Sequence, residues 1–258
     1  MVTQQQREQL DQQGFLLLAE FSTASLMDEL QEQIEDLFAQ EGEAADSEFK
    51  QELHSRRWSN LINKGEIFRR LASQPDVLEL VDIVLGDQYK LSSMNARSSN
   101  PRQPVGQPLH ADMGAVTDER GPWVCNVIWL VDEFRRENGC LRVVPGSHQE
   151  NKLPQDAMPD PLLAHPREVL VTGPRGALIV LNAHLWHAGT ANMTDRPRTA
   201  LHGFYCRRDK PQQQYQKKLI GLDLQRSLNP TLRQLLALDD AENDRLARQE
   251  AAGSGFLE

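Results

Sequence analysis

GALIVLNAHLWHAG, residues 176–189, is a short apolar run bounded by glycine, and it ends in two histidines. Runs of the same texture recur on either side. They are YKLSSMNAR (89–97), PWVCNVIWLV (122–131), CLRVVPG (140–146), EVLVTG (168–173) and RTALHGFYC (198–206). Val, Ile, Leu and aromatic residues alternate in them with Pro, Gly and Asn turns, and no long helical pattern intervenes. Strands at this spacing indicate an antiparallel barrel or sandwich. Residues 88–208 are therefore read as a β core.

The flanks read differently. Residues 1–87 are largely helical in pattern, with Gly14 interrupting a Gln-rich opening. Ser22 or Thr23 is placed to cap a helix through Gln40, on which Leu26, Leu30, Ile34 and Leu37 fall at helical spacing. Residues 41–55 are acidic and read as a loop or a frayed helix. Glu66–Ser73 and Pro75–Leu85 read as short helices, the second with Pro at its start and Gly86 past its end. Residues 209–258 return to helical text, with Leu232, Leu235, Leu236 and Leu238 as an apolar face. No repeat or low-complexity linker divides the chain, so residues 1–258 are read as one domain, mainly β with flanking helices.

The 258 residues carry 28 Lys+Arg against 37 Asp+Glu, a net charge of −9. That balance argues against nucleic acid, whose phosphates need cationic neutralisation, and against an anionic membrane surface. Much of the excess acid lies in Asp28–Glu52 and Asp239–Glu250, so the net charge does not describe the core. The longest apolar runs are far short of a membrane span. The first residues lack the basic and apolar stretches of a secretion signal. Cys125, Cys140 and Cys206 are odd in number and widely spaced, which fits buried thiols in a reducing cytoplasm better than disulfides.

The chemistry centres on Leu109-His110-Ala111-Asp112. On an extended strand, residues i and i+2 share a face, so an imidazole and a carboxylate project together. H-x-D alone is a common tripeptide. A further histidine would complete a facial triad for a divalent metal with open positions. His184 and His187 are three apart and would face opposite sides of one strand. His187 is the better candidate, since a Gly-Thr-Ala-Asn hairpin after it would return the chain and bring Arg198 alongside. An arginine there offers a fork for a carboxylate. Metal and fork together suit a small dicarboxylate such as 2-oxoglutarate.

At this point the sequence resembles the phytanoyl-CoA dioxygenase family, the Fe(II)/2-oxoglutarate-dependent oxygenases built on a double-stranded β-helix (jelly-roll, cupin-like) core. Four features carry the resemblance. They are His110-x-Asp112; Glu137-Asn138-Gly139-Cys140-Leu141 running to Pro145-Gly146-Ser147-His148; His187 followed by Asn192-Met193-Thr194 and Arg198; and the opening 9–34. The resemblance implies iron on His110, Asp112 and His187, with Arg198 on the distal carboxylate of 2-oxoglutarate and O2 as oxidant. A small molecule would be oxidised, with succinate and CO2 released. The carboxylate of Asp112 favours hydroxylation or a related oxidation over halogenation. Helices are expected outside the core, and the protein as a cytoplasmic monomer or homodimer.

Other residues are weighed beside these. Asn126, polar within a buried strand, and Gln107, three before His110, are candidates for touching cosubstrate; a strand-pairing amide is the alternative for Asn126. Arg97, Met113, Trp123 and His202 are candidate substrate contacts. Each has a plainer reading: a surface arginine, loop residue, rim aromatic or satisfied core histidine. Met113–Arg120 is read as a loop able to close over the site, with a solvated tip. Asn192-Met193-Thr194 reads as turn chemistry rather than a glycosylation site. Two competing functions are kept: a cupin-like metal isomerase or lyase that makes Arg198 structural, and a non-catalytic binding protein on the same fold.

Overall fold

The computed structural model describes residues 2–42 and 55–250, with the side chains of 249 and 250 excepted. The acidic stretch after residue 42 and His54 lie outside the described residues. The N-terminal part gives helix α1 (Gln4–Gln13), strand β1 (Phe15–Leu18) and helix α2 (Ala24–Glu41). Strand β2 (Ser55–Trp58) and helices α3 (Leu61–Lys64), α4 (Glu66–Ala72) and α5 (Pro75–Leu85) follow. The Thr23 hydroxyl caps α2 by accepting from the Leu26 N–H, so Thr23 rather than Ser22 is the cap. Gly14 ends α1 at φ +79, and a Cβ there would press into the His148 ring.

The core contributes β3 (Tyr89–Ser99), β4 (Val124–Leu130), β5 (Leu141–Val143), β6 (Val169–Val171), β7 (Leu178–Asn182), β8 (His187–Gly189) and β9 (Arg198–Arg207). A one-turn helix, α6 (Pro154–Ala157), sits between β5 and β6. The strands form two antiparallel sheets, one ordered β1-β7-β4-β9-β3-β2 and the other β6-β5-β8. Residues 103–110 run beside the free edge of β8, bridged at Gln103–Asn192 and His110–His187. This is the expected jelly-roll arrangement.

Alternation divides each strand of the large sheet between two faces. Cys125, Val127 and Trp129 of β4, with Leu201 and Tyr205 of β9, pack against helices α2, α4 and α5. Ile128, Leu130, Ile179, Leu181 and Ala200 point the other way and meet Leu141 and Val143 of the small sheet. The C-terminal helices α7 (Gln216–Leu219), α8 (Leu222–Ser227), α9 (Pro230–Leu235) and α10 (Ala241–Glu250) close over the helical side. Leu232, Leu235, Leu236 and Leu238 are buried there, as the apolar face predicts.

β3 carries the feature that matters most for the site. Its register with β9 shifts between Leu91 and Ser93. A bulge adds one residue and reverses side-chain parity beyond it. Leu91, Met94 and Ala96 can thus all face the helices, while Asn95, Arg97 and Ser99 turn into the cavity between the sheets.

Two expectations about connections are corrected. The run 176–189 is not one strand: β7 and β8 are separated by a turn at 183–186, which holds His184. His187 and Arg198 are not joined by a hairpin either. β8 pairs with β5 in the small sheet, and β9 with β3 and β4 in the large one. The segment between them crosses from sheet to sheet on the buried Asn192 side chain. That amide donates to Ser99 O (3.3 Å) and Arg196 O (2.9 Å) and accepts from the Thr194 hydroxyl (2.7 Å).

Candidate active site

His110 and His187 are brought together by the backbone. Each N–H donates to the other's carbonyl at 3.0 Å, a reciprocal antiparallel pair, and the ring centroids lie 4.5 Å apart. Asp112 is not on the same extended strand as His110, contrary to expectation. The chain turns at Asp112–Gly114, with Met113 at φ +60, and the Asp112 N–H is pinned to Ala183 O at 2.8 Å. The turn, rather than strand parity, delivers the carboxylate. Its oxygens lie 3.9 Å from His110 Nε2 and 3.6 Å from His187 Nε2. The three ligand atoms all fall within 4.8 Å of one another.

Both imidazoles are oriented through Nδ1. That atom meets Pro108 O at 3.0 Å in His110 and Leu185 O at 2.7 Å in His187. A carbonyl only accepts, so Nδ1 carries the proton and the Nε2 lone pair faces the cluster. Burial pushes the His187 pKa down to about 4, against the pull of Asp112, which keeps the ring neutral and ready to ligate. Two imidazoles, each with Nδ1 committed to a carbonyl, and one carboxylate form the donor set that suits a divalent iron with open positions. The Asn126 amide reaches Asp112 Oδ2 at 3.5 Å, and its own oxygen is buried without a partner.

Arg198 enters the same cavity from the first residue of β9. Its guanidinium donates to Gly139 O and lies 4.1 Å over the Phe134 ring. Its Nε is buried with no partner. Burial lowers its pKa to about 10, with Cys140 and Asp132 opposing, so it remains cationic at neutral pH. The Glu137-Asn138-Gly139 turn makes its seat. Asn138 Oδ1 accepts from the Arg135 N–H and its Nδ2 donates to Glu133 O, both at 2.8 Å. Gly139 sits at φ +86, where a Cβ would stand 3.3 Å from Thr190 O and 3.5 Å from the Arg198 guanidinium.

The cavity brings together His110, Asp112, His187 and Arg198 with Asn126, Gln107, Arg97 and His202. Arg198 and His202 share a face of β9, as parity predicts. Gln107 Oε1 accepts from the Gly189 N–H at 3.0 Å. Met113 and Trp123 do not line it. The left-handed turn leaves Met113 exposed, and Trp123 packs edge-on to His184 beneath Lys210. Nor is the tip of the 113–120 loop merely solvated. The Arg207 guanidinium grips Asp118 at 2.6 and 2.8 Å, and Arg120 meets Asp209 at 2.9 Å.

Three contributors escaped the sequence reading. His184 ties both ends of the loop after Asp112: its Nδ1 meets Ala115 O at 2.7 Å and its Nε2 accepts from the Trp123 N–H at 2.8 Å. Arg142, buried within CLRVV, donates to Gln107 O (3.0 Å) and Pro161 O (2.9 Å), holding the strand that leads to His110. A charge inside an apolar strand was the available signal. Gln213 reaches the cavity wall from the C-terminal arm, and no local pattern marks it.

The chain matches the family profile described as Phytanoyl-CoA dioxygenase (PhyH) over residues 10–200. It is 30% identical over 178 residues to "Dioxygenase af480" of Aspergillus fumigatus, covering 66% of this chain and 55% of that protein. The chain thus spans about half the length of that relative. It is 26% identical over 220 residues to the "2-aminoethylphosphonate dioxygenase" of an uncultured bacterium, covering 80% and 82%. Among solved structures, EctD from S. alaskensis with 2-oxoglutarate and 5-hydroxyectoine shares the fold. The TM-score is 0.67 at 19% identity, over 80% of this chain and 76% of that one. With the profile spanning most of its length and that family's motifs meeting in one cavity, this chain belongs to the phytanoyl-CoA dioxygenase family.

Proposed function

We propose that this protein is an Fe(II)- and 2-oxoglutarate-dependent dioxygenase that oxidises a small molecule, releasing succinate and CO2. One observation carries the reading. A two-histidine, one-carboxylate cluster and a buried cationic arginine with an unused N–H open into the same cavity. The donor set fits iron: His110 and His187 present Nε2 atoms and Asp112 an oxygen, all within 4.8 Å of one another. When bound, the iron supplies chelation of the keto acid and the oxygen activation that oxidises cosubstrate and substrate. Arg198 holds the distal carboxylate, with Nε offering the donor left over after Gly139. Asn126 steadies the Asp112 carboxylate. The carboxylate of Asp112 would be one of the groups holding the metal, which favours hydroxylation or a related oxidation over halogenation.

The relatives support this within the limits of their names: two are called dioxygenases, and the EctD structure holds 2-oxoglutarate. Residues 1–258 are read as one domain. The core cluster, which runs from Leu10 through the large sheet to Leu238, supports this. We also infer a cytoplasmic monomer or homodimer that binds no nucleic acid. The three cysteines are buried and unpaired, and among the described residues no helix is long and apolar enough to cross a membrane.

The test is substrate-dependent conversion of 2-oxoglutarate to succinate under oxygen with Fe(II), across a panel of small polar molecules. Succinate formation that needs iron and is lost in Asp112→Ala is the expected result. Turnover of a substrate by the metal-loaded protein without consumption of 2-oxoglutarate would point to the isomerase or lyase reading instead.

A further inference from the structure

The bulge of β3 does more than reset parity. It leaves Ser92 out of register, and that residue takes up the C-terminal arm. The Ser92 carbonyl accepts from the Gln214 N–H at 3.0 Å, and its hydroxyl from the Gln213 N–H at 2.7 Å. Gln213 is thereby laid against the cavity wall. Its Oε1 accepts from the Ser93 hydroxyl at 2.8 Å. Its Nε2 has no hydrogen-bond partner among the described residues and keeps both N–H groups. The register carries that position across the sheet. Ser93 stands opposite Phe204 of β9, and Phe204 opposite Asn126 of β4. The next row toward Arg198 is Asn95, His202 and Ile128. Opposed residues of antiparallel strands share a face, and here that face is the cavity wall. Phe204 and Ile128 make an apolar patch on it, edged by Gln213, Asn126 and His202.

Each edge group has hydrogen-bonding capacity unspent. The Asn126 amide points Nδ2 at Asp112 Oδ2. An ionised carboxylate only accepts, so the amide cannot turn over, and Oδ1 is left buried without a donor. Dianionic 2-oxoglutarate and O2 carry no N–H or O–H, so neither satisfies it. His202 is partly buried, and neither ring nitrogen has a hydrogen-bond partner among the described residues. Burial first, and then the nearby arginines, hold its pKa well down. The neutral ring offers one N–H and one bare nitrogen. Arg97 on the same wall has an interaction of its own. An oxyanion cannot serve Asn126 Oδ1, and an ammonium cannot serve Gln213 Nε2. A hydroxyl both donates and accepts, and a carbon skeleton carrying several has an apolar face for Phe204.

Resting on the dioxygenase reading, we propose that Phe204, Gln213, His202 and Asn126 form a substrate subsite that takes an uncharged, hydroxyl-bearing small molecule. Its skeleton lies on Phe204 and Ile128, and its hydroxyls meet the three edge groups. Gln213 is the specificity residue that the C-terminal arm contributes.

The test uses anaerobic, Mn(II)-loaded, 2-oxoglutarate-saturated protein and follows paramagnetic relaxation of the C–H protons of added probes. myo-Inositol and glycerol are the uncharged probes, acetate and methylammonium the charged ones. Saturable relaxation of at least one polyol, at lower concentration than either ion, is expected. Gln213→Leu and His202→Leu should each weaken that polyol by about 5-fold, one hydrogen bond's share. His202→Gln, which keeps a donor and an acceptor, should recover part of the loss. Affinity for 2-oxoglutarate should hold in all three. Failure of both polyols to saturate the wild-type protein, tighter binding of either ion, or polyol binding untouched by Gln213→Leu and His202→Leu would overturn the subsite. So would 2-oxoglutarate affinity falling in step in those variants. Absence of metal-dependent 2-oxoglutarate binding in the wild type would instead strike at the dioxygenase reading.

Discussion

At the scale of single residues, the site works by fixing protonation and orientation before any ligand arrives. His110 and His187 each place Nδ1 on the carbonyl two residues back, so neither ring must turn to ligate through Nε2. Asp112 supplies the one negative charge, and Asp112→Ala should weaken Fe(II) or Mn(II) binding by at least about 100-fold, read by calorimetry under anaerobic conditions. Arg198 is a different kind of residue. Its guanidinium spends one nitrogen on Gly139 O and keeps Nε unsatisfied. Arg198→Lys keeps the charge but loses that geometry. We expect it to leave metal affinity unchanged while weakening 2-oxoglutarate by roughly 10-fold or more. Equal losses for metal and cosubstrate would mean the arginine is structural.

At the scale of elements, turns do more of the positioning than strands. The bulge in β3, the turn at Asp112–Gly114, the turn at Gly139 and the turn holding His184 each aim a side chain that regular geometry would misdirect. Gly139→Ala meets both a left-handed backbone and the Thr190 carbonyl. A cost of about 1–2 kcal/mol in urea unfolding is expected, together with weaker 2-oxoglutarate binding from the displaced arginine. His184→Leu strands Ala115 O and the Trp123 N–H. About 2 kcal/mol is expected to be lost, with faster proteolysis in the 113–121 loop than in wild type. Unchanged cleavage would show that the loop is held elsewhere, for instance by Arg207. These turns also mark where the sequence was legible. Apolar runs and capping residues gave α5 to the residue and the β core nearly whole, because burial and alternation are local patterns. His110, Asp112, His187 and Arg198 were legible through motif spacing. The convergence of β8 and β9 from different sheets was not, because pairing partners across a sandwich leave no mark in either strand. Gln213 was hidden for the same reason: its place depends on a C-terminal arm folding back onto β3.

At the scale of the whole molecule, the net charge of −9 and the character of the cavity have opposite signs. Arg97 and Arg198 line the cavity, while acid dominates the helical flanks. Burial also sets the response to pH. His148, His184, His187 and His202 all have lowered pKa values, with burial as the first cause. Between pH 6.5 and about 4 the unfolded chain takes up protons that the folded chain refuses, so stability falls as pH falls through that window. His187 alone accounts for on the order of 3 kcal/mol. Metal-free protein should show a clearly lower urea midpoint at pH 5 than at pH 7.5, and equal midpoints would mean that these rings are protonated in place. The central claim is that His110, Asp112 and His187 hold a metal onto which Arg198 guides 2-oxoglutarate, and anaerobic calorimetry of 2-oxoglutarate binding tests it most directly. The account predicts one 2-oxoglutarate per Mn(II)-loaded chain, none without metal, and none detectable in metal-loaded Arg198→Met. Binding of equal strength with and without metal, or undiminished in Arg198→Met, would contradict it.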